Sequence, residues 1–377
     1  MEITSHHRAL VGLMKVPGFG VRMARNLLNQ SGVENAEDCF NMIETDLLKI
    51  DGLGRNRISD LLSFDDWDSV DKVLERTVKL GARLVALTDP DYPPMLKQTY
   101  DPPVILWVRG DVAALSKEAL AVVGTRNPGS YGLSETERWS KKLVAAGLSV
   151  NSGLAYGVDA KAHRTALEQE GTTVAVMGSG IDWVYPAKNR RLADQIIKNG
   201  GALITEYPPG SKPDAVNFPE RNRIVSGLSY GVLVVESGIK GGSMITARLA
   251  LDQNREVFVV PHPLGYLKGE GCNYLIRTGQ GKLVQTFEHV LEELSIRLQK
   301  GENEKAAAKP AGQKWKEAGD LTEQETALCR TLSNETLHVD QLAEKLDTQP
   351  FKLSPLLLEL EMKGLIRQKA GKYFELE

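Results

Sequence analysis

Short, continuously apolar runs recur through the middle of the chain and alternate with stretches of helical periodicity. Ala119 to Val123, Leu148 to Val150, Thr173 to Met177, Ala202 to Thr205, Gly231 to Val235 and Glu256 to Val260 are each rich in Val, Ile, Leu or Ala and bounded by Gly, Ser or Pro. Unbroken apolarity, as opposed to strict alternation, predicts strands buried on both faces. Two shorter runs, Arg83 to Leu87 and Val104 to Val108, flank Asp89-Pro90-Asp91-Tyr92-Pro93-Pro94, whose prolines exclude a regular helix there. Residues 79–298 therefore read as a doubly wound α/β core with a mostly parallel sheet, whose ligand belongs at the carboxyl ends of the strands.

The flanks follow a different period. Residues 1–78 read as helical and contain a diverged repeat. Val16-Pro17-Gly18-Phe19-Gly20 precedes Arg22, Ala24 and Leu27-Leu28; Ile50-Asp51-Gly52-Leu53-Gly54 precedes Arg55, Arg57, Ile58 and Leu61-Leu62. Each copy is an apolar residue, a Gly-x-Gly hairpin and an amphipathic helix, a pattern that resembles tandem helix-hairpin-helix motifs. Such hairpins either offer N–H groups to a DNA phosphate or serve only as tight turns that pack the domain. Residues 299–318 lack core-forming side chains and read as a linker. In residues 319–377, three short helical patterns and a small hairpin, Gly364 to Arg367 with Lys372 to Phe374, predict a winged helix. Its acidic balance, 7 basic against 11 acidic residues over 318–377, favours a protein contact or an auxiliary site over groove reading, and disfavours a transcription regulator.

Composition narrows the classes. A length of 377 residues allows two or three domains, and a net charge of −3 means that any basic surface must be local. Cys39, Cys272 and Cys329 lie far apart, which argues for free thiols in a reducing compartment and against a disulfide framework or a zinc site. No secretory pattern opens the chain and no run approaches 18 apolar residues, so the expectation is a soluble cytoplasmic protein with no membrane partner.

Candidate chemistry gathers where the strands end. The first run exits into Gly124-Thr125-Arg126, the second into Ser152-Gly153 and on to Asp159 and His163, and the third into Gly178-Ser179-Gly180, with Tyr185-Pro186, Lys188 and Arg190 beyond. The fourth ends at Glu206; the fifth ends at Glu236, ahead of Gly241-Gly242-Ser243 and Thr246. Neither the P-loop spacing nor Gly-x-Gly-x-x-Gly after the first strand is present, which disfavours an ATPase or a dinucleotide enzyme. Arg126, directly after a strand-end Gly-Thr, could brace its loop against a carboxylate but is better placed to grip a phosphate. Arg221 and Arg223 could pair with Glu220 or Glu236. With Phe218 and Asn222 beside them, they fit better a single-strand site, where a ring stacks a base and guanidinium groups hold the backbone. His163 reads as an ordinary hydrogen-bonded histidine. Glu206 and Glu236 read as groups that orient cations and loop N–H groups more than as an acid–base pair, and His6-His7 makes no metal claim.

These residues resemble the DprA/Smf family of DNA processing proteins. The resemblance is carried by Asp91-Tyr92-Pro93-Pro94, Val123-Gly124-Thr125-Arg126, Ser152 to Asp159, Tyr185-Pro186, Phe218 to Arg223 and Gly242 to Ala247, within a span that closes at Leu275-Ile276. It implies a Rossmann-like core that dimerises, binds single-stranded DNA without strong sequence preference and helps load the RecA recombinase during natural transformation. No catalytic turnover, cofactor or metal is implied. Carried onto this chain, the DNA pocket comprises Gly124, Thr125, Arg126, Ser152, Gly153, Phe218, Arg221, Asn222, Arg223, Gly241, Gly242, Ser243 and Thr246, with Lys188 and Arg190 at the rim. The chain departs from the family at Pro261-His262-Pro263, where Pro-Gly is usual, and at Gln280. The competing expectation is a Rossmann-like nucleotide-processing enzyme, such as a nucleoside monophosphate hydrolase, with Glu206, Glu236 or Asp159 as acid–base groups.

Overall fold

The computed structural model describes residues 3–30, 33–50, 52–294, 321–332, 337–346, 348, 350–363, 365–369 and 373–376, so the expected linker at 299–318 lies outside the described residues. The chain divides into two compact units, Met1–Val290 and Leu291–Glu377.

The first unit opens with six helices, α1 (Ser5–Lys15), α2 (Val21–Leu28), α3 (Asp38–Asn41), α4 (Glu44–Leu47), α5 (Arg55–Leu62) and α6 (Trp67–Lys79). α1 begins at a capping box in which Thr4 accepts from the His7 N–H and the His7 ring takes the Thr4 N–H, satisfying donors that a helix start leaves free. α6 buries Val70, Leu74 and Thr77 along one face, and Trp107 donates its indole N–H to Thr77 at 3.1 Å, joining helix to sheet.

The sheet takes β1 (Arg83–Ala86), β2 (Ile105–Gly110), β3 (Ala119–Val123), β4 (Ser149–Ser152), β5 (Thr173–Val176), β6 (Ala202–Thr205), β7 (Gly231–Val234), β8 (Glu256–Val259) and β9 (Lys282–Leu283) in the order β1-β2-β6-β5-β4-β3-β7-β8-β9. From β6 to β9 all pairings are parallel; β2 runs antiparallel to β6 and β1 antiparallel to β2. The eight anticipated runs coincide with β1 to β8. β9 escapes sequence reading because its two residues are exposed and carry no apolar run.

Successive strand residues go to opposite cores. Val174 and Val176 of β5 pack in one cluster with Ile204, Ile224 and Ala247, whereas Ala175 packs in the other with Trp107, Ile196 and residues of α1 to α6. The helices of residues 5–79 thus share a hydrophobic core with one face of the sheet. Joining the strands are α7 (Pro94–Lys97), α8 (Ser130–Ala145), α9 (Val158–Glu168), α10 (Arg190–Lys198), α11 (Asn217–Gly227) and α12 (Gly242–Asp252), with α13 (Glu270–Arg277) after β8. The chain steps outward from β3 through β4 and β5 to β6, then returns to β7 on the other side of β3. That reversal places a crevice between the ends of β3 and β7, where doubly wound sheets hold their ligands.

The second unit packs α14 (Glu323–Leu332), α15 (Val339–Lys345) and α16 (Pro350–Met362) with a three-stranded sheet in the order β10 (Leu337–His338), β12 (Tyr373–Leu376), β11 (Ile366–Lys369). Leu328, Leu342, Leu357 and Leu360 form its core, giving the expected winged helix. Cys39, Cys272 and Cys329 are free and buried. No helix among the described residues is long and apolar enough to cross a membrane.

Candidate nucleic-acid interface

A cleft of about 690 Å³ opens at the carboxyl ends of the strands. Gly124, Thr125 and Arg126 reach it from the end of β3, Gly153 and Ala155 from the turn after β4, Asp159 from the first turn of α9, Phe218, Arg221 and Asn222 from α11, and Gly241, Gly242, Ser243 and Thr246 from the start of α12. A recess of about 40 Å³ adjoins it between Tyr156, Tyr185, Pro186 and Phe218.

Backbone contacts hold the first loop. The Thr125 N–H donates to the Glu236 carbonyl at 2.7 Å, and the Thr125 carbonyl accepts the Val158 N–H at 3.2 Å. Gly157 makes this approach possible, because it has φ +76° and a Cβ there would lie 2.4 Å from the Thr125 carbonyl oxygen. Arg126 is left extending over the Phe218 ring, 5.8 Å from its centroid, and it forms no ion pair among the described residues.

Arg221 behaves differently. It is 4% exposed, and its Nη1 donates to the Gly153 carbonyl at 2.8 Å and to the Val176 carbonyl. Asp159 faces it and accepts the N–H groups of Gly153 and Ala155 at 3.1 and 3.3 Å through Oδ2. Burial pushes the Arg221 guanidinium down to about 10, with Asp159 opposing that shift; burial raises the Asp159 carboxyl, with Arg221 opposing in turn. At neutral pH the arginine keeps its charge, and a side chain at Gly153 would fall 2.7 Å from Nη2. Phe218 sits between the two cations, with Arg221 5.9 Å from its centroid and the Tyr185 ring 5.4 Å away.

The turn after β4 is a braced floor. Leu154 takes φ +57°, an uncommon conformation for a bulky residue. Asn189, 2% exposed, donates Nδ2 to the Leu154 and Ala155 carbonyls at 2.9 and 3.2 Å. The Ser152 hydroxyl donates to the Val122 carbonyl at 2.6 Å, so Ser152 supports the cleft from beneath it. Sequence reading picked out Lys188 and Arg190 and passed over Asn189 between them, an uncharged residue in a basic run whose partners lie more than 30 positions away. Lys188 and Arg190 themselves are exposed and outside the cleft lining.

Arg223 is not part of the cleft. It pairs with Glu206 and lies 3.3 Å from Asp101. The start of α12 is bare by comparison: Gly241 caps it without a side chain, its first turn holds no acidic residue, and nothing crowds Gly242. Its leading N–H groups and the positive end of its dipole are suited to an anion. His163 is wholly buried and donates Nδ1–H to the Thr173 hydroxyl at 2.6 Å, and burial lowers its pKa to about 3. No group of three or more His, Cys, Asp or Glu among the described residues is placed to hold a metal ion.

Taken together, the cleft offers an unpaired guanidinium, a bare helix start and an aromatic face, the elements that grip a phosphate and stack a base. Comparison with known proteins places the chain in a family. The family model described as DNA recombination-mediator protein A matches residues 83–295. The chain belongs to the DprA family. A second model, the DprA winged helix domain, matches residues 310–372. Protein Smf of Escherichia coli (strain K12) is 40% identical over 291 residues, covering 76% of this chain and 75% of the relative. DNA processing protein DprA of Bacillus subtilis (strain 168) is 39% identical over 232 residues, 61% of this chain and 77% of the relative. Among solved structures, DNA processing protein A from Streptococcus pneumoniae superposes with a TM-score of 0.65 at 32% identity, covering 78% of this chain and 99% of that one. DNA processing protein A from Helicobacter pylori, described for its single-stranded DNA binding mode, gives a TM-score of 0.51 at 30% identity over 57% of this chain and 97% of that one.

Proposed function

We propose that this DprA-family chain binds single-stranded DNA without strong sequence preference, protects it and promotes loading of the RecA recombinase, acting as a cytoplasmic homodimer without catalytic turnover. The observation that carries the reading is Arg126, without an ion pair among the described residues, over Phe218 and lining the same cleft as the uncapped start of α12. A backbone phosphate is held there by Arg126 and the N–H groups of Gly242 and Ser243, with Thr246 on the same wall. The base stacks on Phe218, with Tyr185 and Asn222 at its edge. Arg221 supplies charge from beneath, and Lys188 and Arg190 guide the strand beyond the cleft. The H. pylori relative's binding mode and the family's description as a recombination mediator support the reading.

A hydrolase is disfavoured by how the acidic candidates are engaged. Glu206 is paired with Arg223, Glu236 accepts a backbone N–H, and Asp159 is tied to Arg221 and two N–H groups. None is poised for proton transfer to a ligand.

Fluorescence titration of single- and double-stranded oligonucleotides over a salt series tests the proposal. The single strand is expected to bind more tightly, with log affinity falling by about 0.7 per decade of salt for each phosphate neutralised. Equal affinity for duplex, or no salt dependence, would overturn it. RecA loading is checked by the rate at which RecA displaces a single-strand binding protein from DNA, which rises when this protein is added.

A further inference from the structure

Two helices start at the crevice where the strand order reverses, α8 after β3 and α12 after β7. In nucleotide-binding folds of this topology, the phosphates sit at the N-terminus of the helix that follows the first parallel strand. α8 holds that position. Its N-cap is Gly129, which offers no side-chain acceptor, and its first turn contains no acidic residue.

The place is nevertheless filled. Glu236, 0% exposed just beyond β7, accepts the Gly129 N–H at 2.9 Å through Oε1. The surroundings are shaped to admit this carboxylate: a Cβ on Gly132 would lie 2.4 Å from Oε2, and a Cβ on Gly129 would meet the Tyr266 hydroxyl at 2.4 Å. Burial and the neighbouring Glu236 charge both raise the pKa of Tyr266, so its hydroxyl remains protonated beside the carboxylate. The N-terminus of α12, in contrast, has no such occupant and lines the cleft.

We propose that Glu236 is a built-in anion that occupies the phosphate seat of α8, denying the crevice to ligands that carry a pyrophosphate and leaving α12 with Arg126 to take the phosphate. Glu236 is then a specificity-determining residue. A second anion at α8 meets a fixed like charge in a site closed to water, whereas one at α12 meets an open dipole and a guanidinium. The consequence for DNA rests on the strand-binding reading above, but the occupancy of the seat does not.

Glu236→Ala empties the seat of both the side chain and its charge. Calorimetric titration of the full chain with inorganic pyrophosphate at constant ionic strength should show binding at least about tenfold tighter in E236A than in the parent. Affinity unchanged within about twofold in folded E236A would overturn the proposal. E236A is also melted in formate and in chloride at matched ionic strength. Formate refills the seat and raises the midpoint of the variant but not of the parent; equal responses would sink the idea. Single-strand titration of the same samples keeps the two readings apart: a parent that ignores DNA refutes strand binding, while the pyrophosphate and formate results still judge Glu236.

Discussion

The hairpins of the N-terminal helices and the strand-end cleft are written in the same residues, yet the structure treats them differently. Both have glycine turns leading into helices without side-chain caps: Gly20 before α2, Gly54 before α5 and Gly241 before α12. Both have arginines nearby: Arg25 and Arg57 on the helices that follow the hairpins, and Arg126 lining the same cleft as Gly241. In the hairpins Arg25 and Arg57 are occupied by protein, whereas Arg55, directly after Gly54, is exposed and forms no hydrogen bond or ion pair among the described residues. Arg57 lies over Gly18, 3.1 Å from where its Cβ would be, and donates to the Gly52 carbonyl at 3.0 Å, tying one hairpin to the other. Arg25 donates to the Tyr100 carbonyl and covers the Tyr100 ring, tying α2 to the loop before β2. In the cleft, Arg126 lies over the Phe218 ring but forms no hydrogen bond or ion pair among the described residues. Arg25 and Arg57 show that a glycine turn and a nearby cation are not sufficient for an anion site when the cation already has an internal partner, and partners are a matter of long-range contact.

The sharpest break between the two regions should come from the cleft's two arginines, which fail in different ways. Arg221→Ala leaves buried Asp159 without its counter-ion and two carbonyls without their donor. Urea unfolding should register a loss of about 3–5 kcal/mol, and DNA affinity should fall with it. Arg126→Ala should change stability by no more than about 0.5 kcal/mol but weaken binding to all sequences by about tenfold or more, with a salt slope shallower by about 0.7. An R126A variant with parental affinity and slope would remove the cleft from the DNA path.

Asn189 separates bracing from contact within the cleft. Asn189→Ala deprives two carbonyls at the Leu154 turn of their donor, a loss of about 1–3 kcal/mol in stability. Because Asn189 touches no phosphate in the proposed complex, affinity should drop several-fold with the salt slope unchanged. Lys188→Ala and Arg190→Ala should do the reverse, leaving stability intact and making the slope shallower by about 0.7 each. A changed slope in N189A would mean that it contacts the strand directly.

Much of this architecture was legible in the chain. Runs such as Thr173 to Met177 are apolar without alternation because both faces of β5 are covered, and the residues that follow each run converge because parallel strands end on one side. Arg221 and Arg223 show what was overlooked. Two positions apart on α11, they point about 200° apart around the helix axis, so one enters the cleft and the other meets Glu206 and Asp101. Helical geometry alone was enough to separate them. The sequence reading of Glu236 as a group that orients a loop N–H agrees with its bond to Gly129, but that particular partner, 107 residues away, was not legible, and neither was Asn189 under the Leu154 turn, 35 residues from its partner.

The smallest effects are expected in the hairpins. Arg57→Ala loses one hydrogen bond to an exposed carbonyl and the cover over Gly18; Arg25→Ala loses its contacts with Tyr100. Each should lower stability by about 1 kcal/mol or less and leave both single-strand and duplex affinity within about twofold of the parent. The reason is electrostatic as well as steric. A guanidinium already bound to a backbone carbonyl must give up that bond to reach a phosphate, so its net contribution to DNA affinity is the difference between two similar hydrogen bonds. Arg126 has no hydrogen bond or ion pair among the described residues to give up. A tenfold loss of duplex affinity in R57A, with a shallower salt slope, would place the hairpins on DNA after all. Arg57 would then have exchanged Gly52 for a phosphate, and the two regions would share a ligand as well as a sequence pattern.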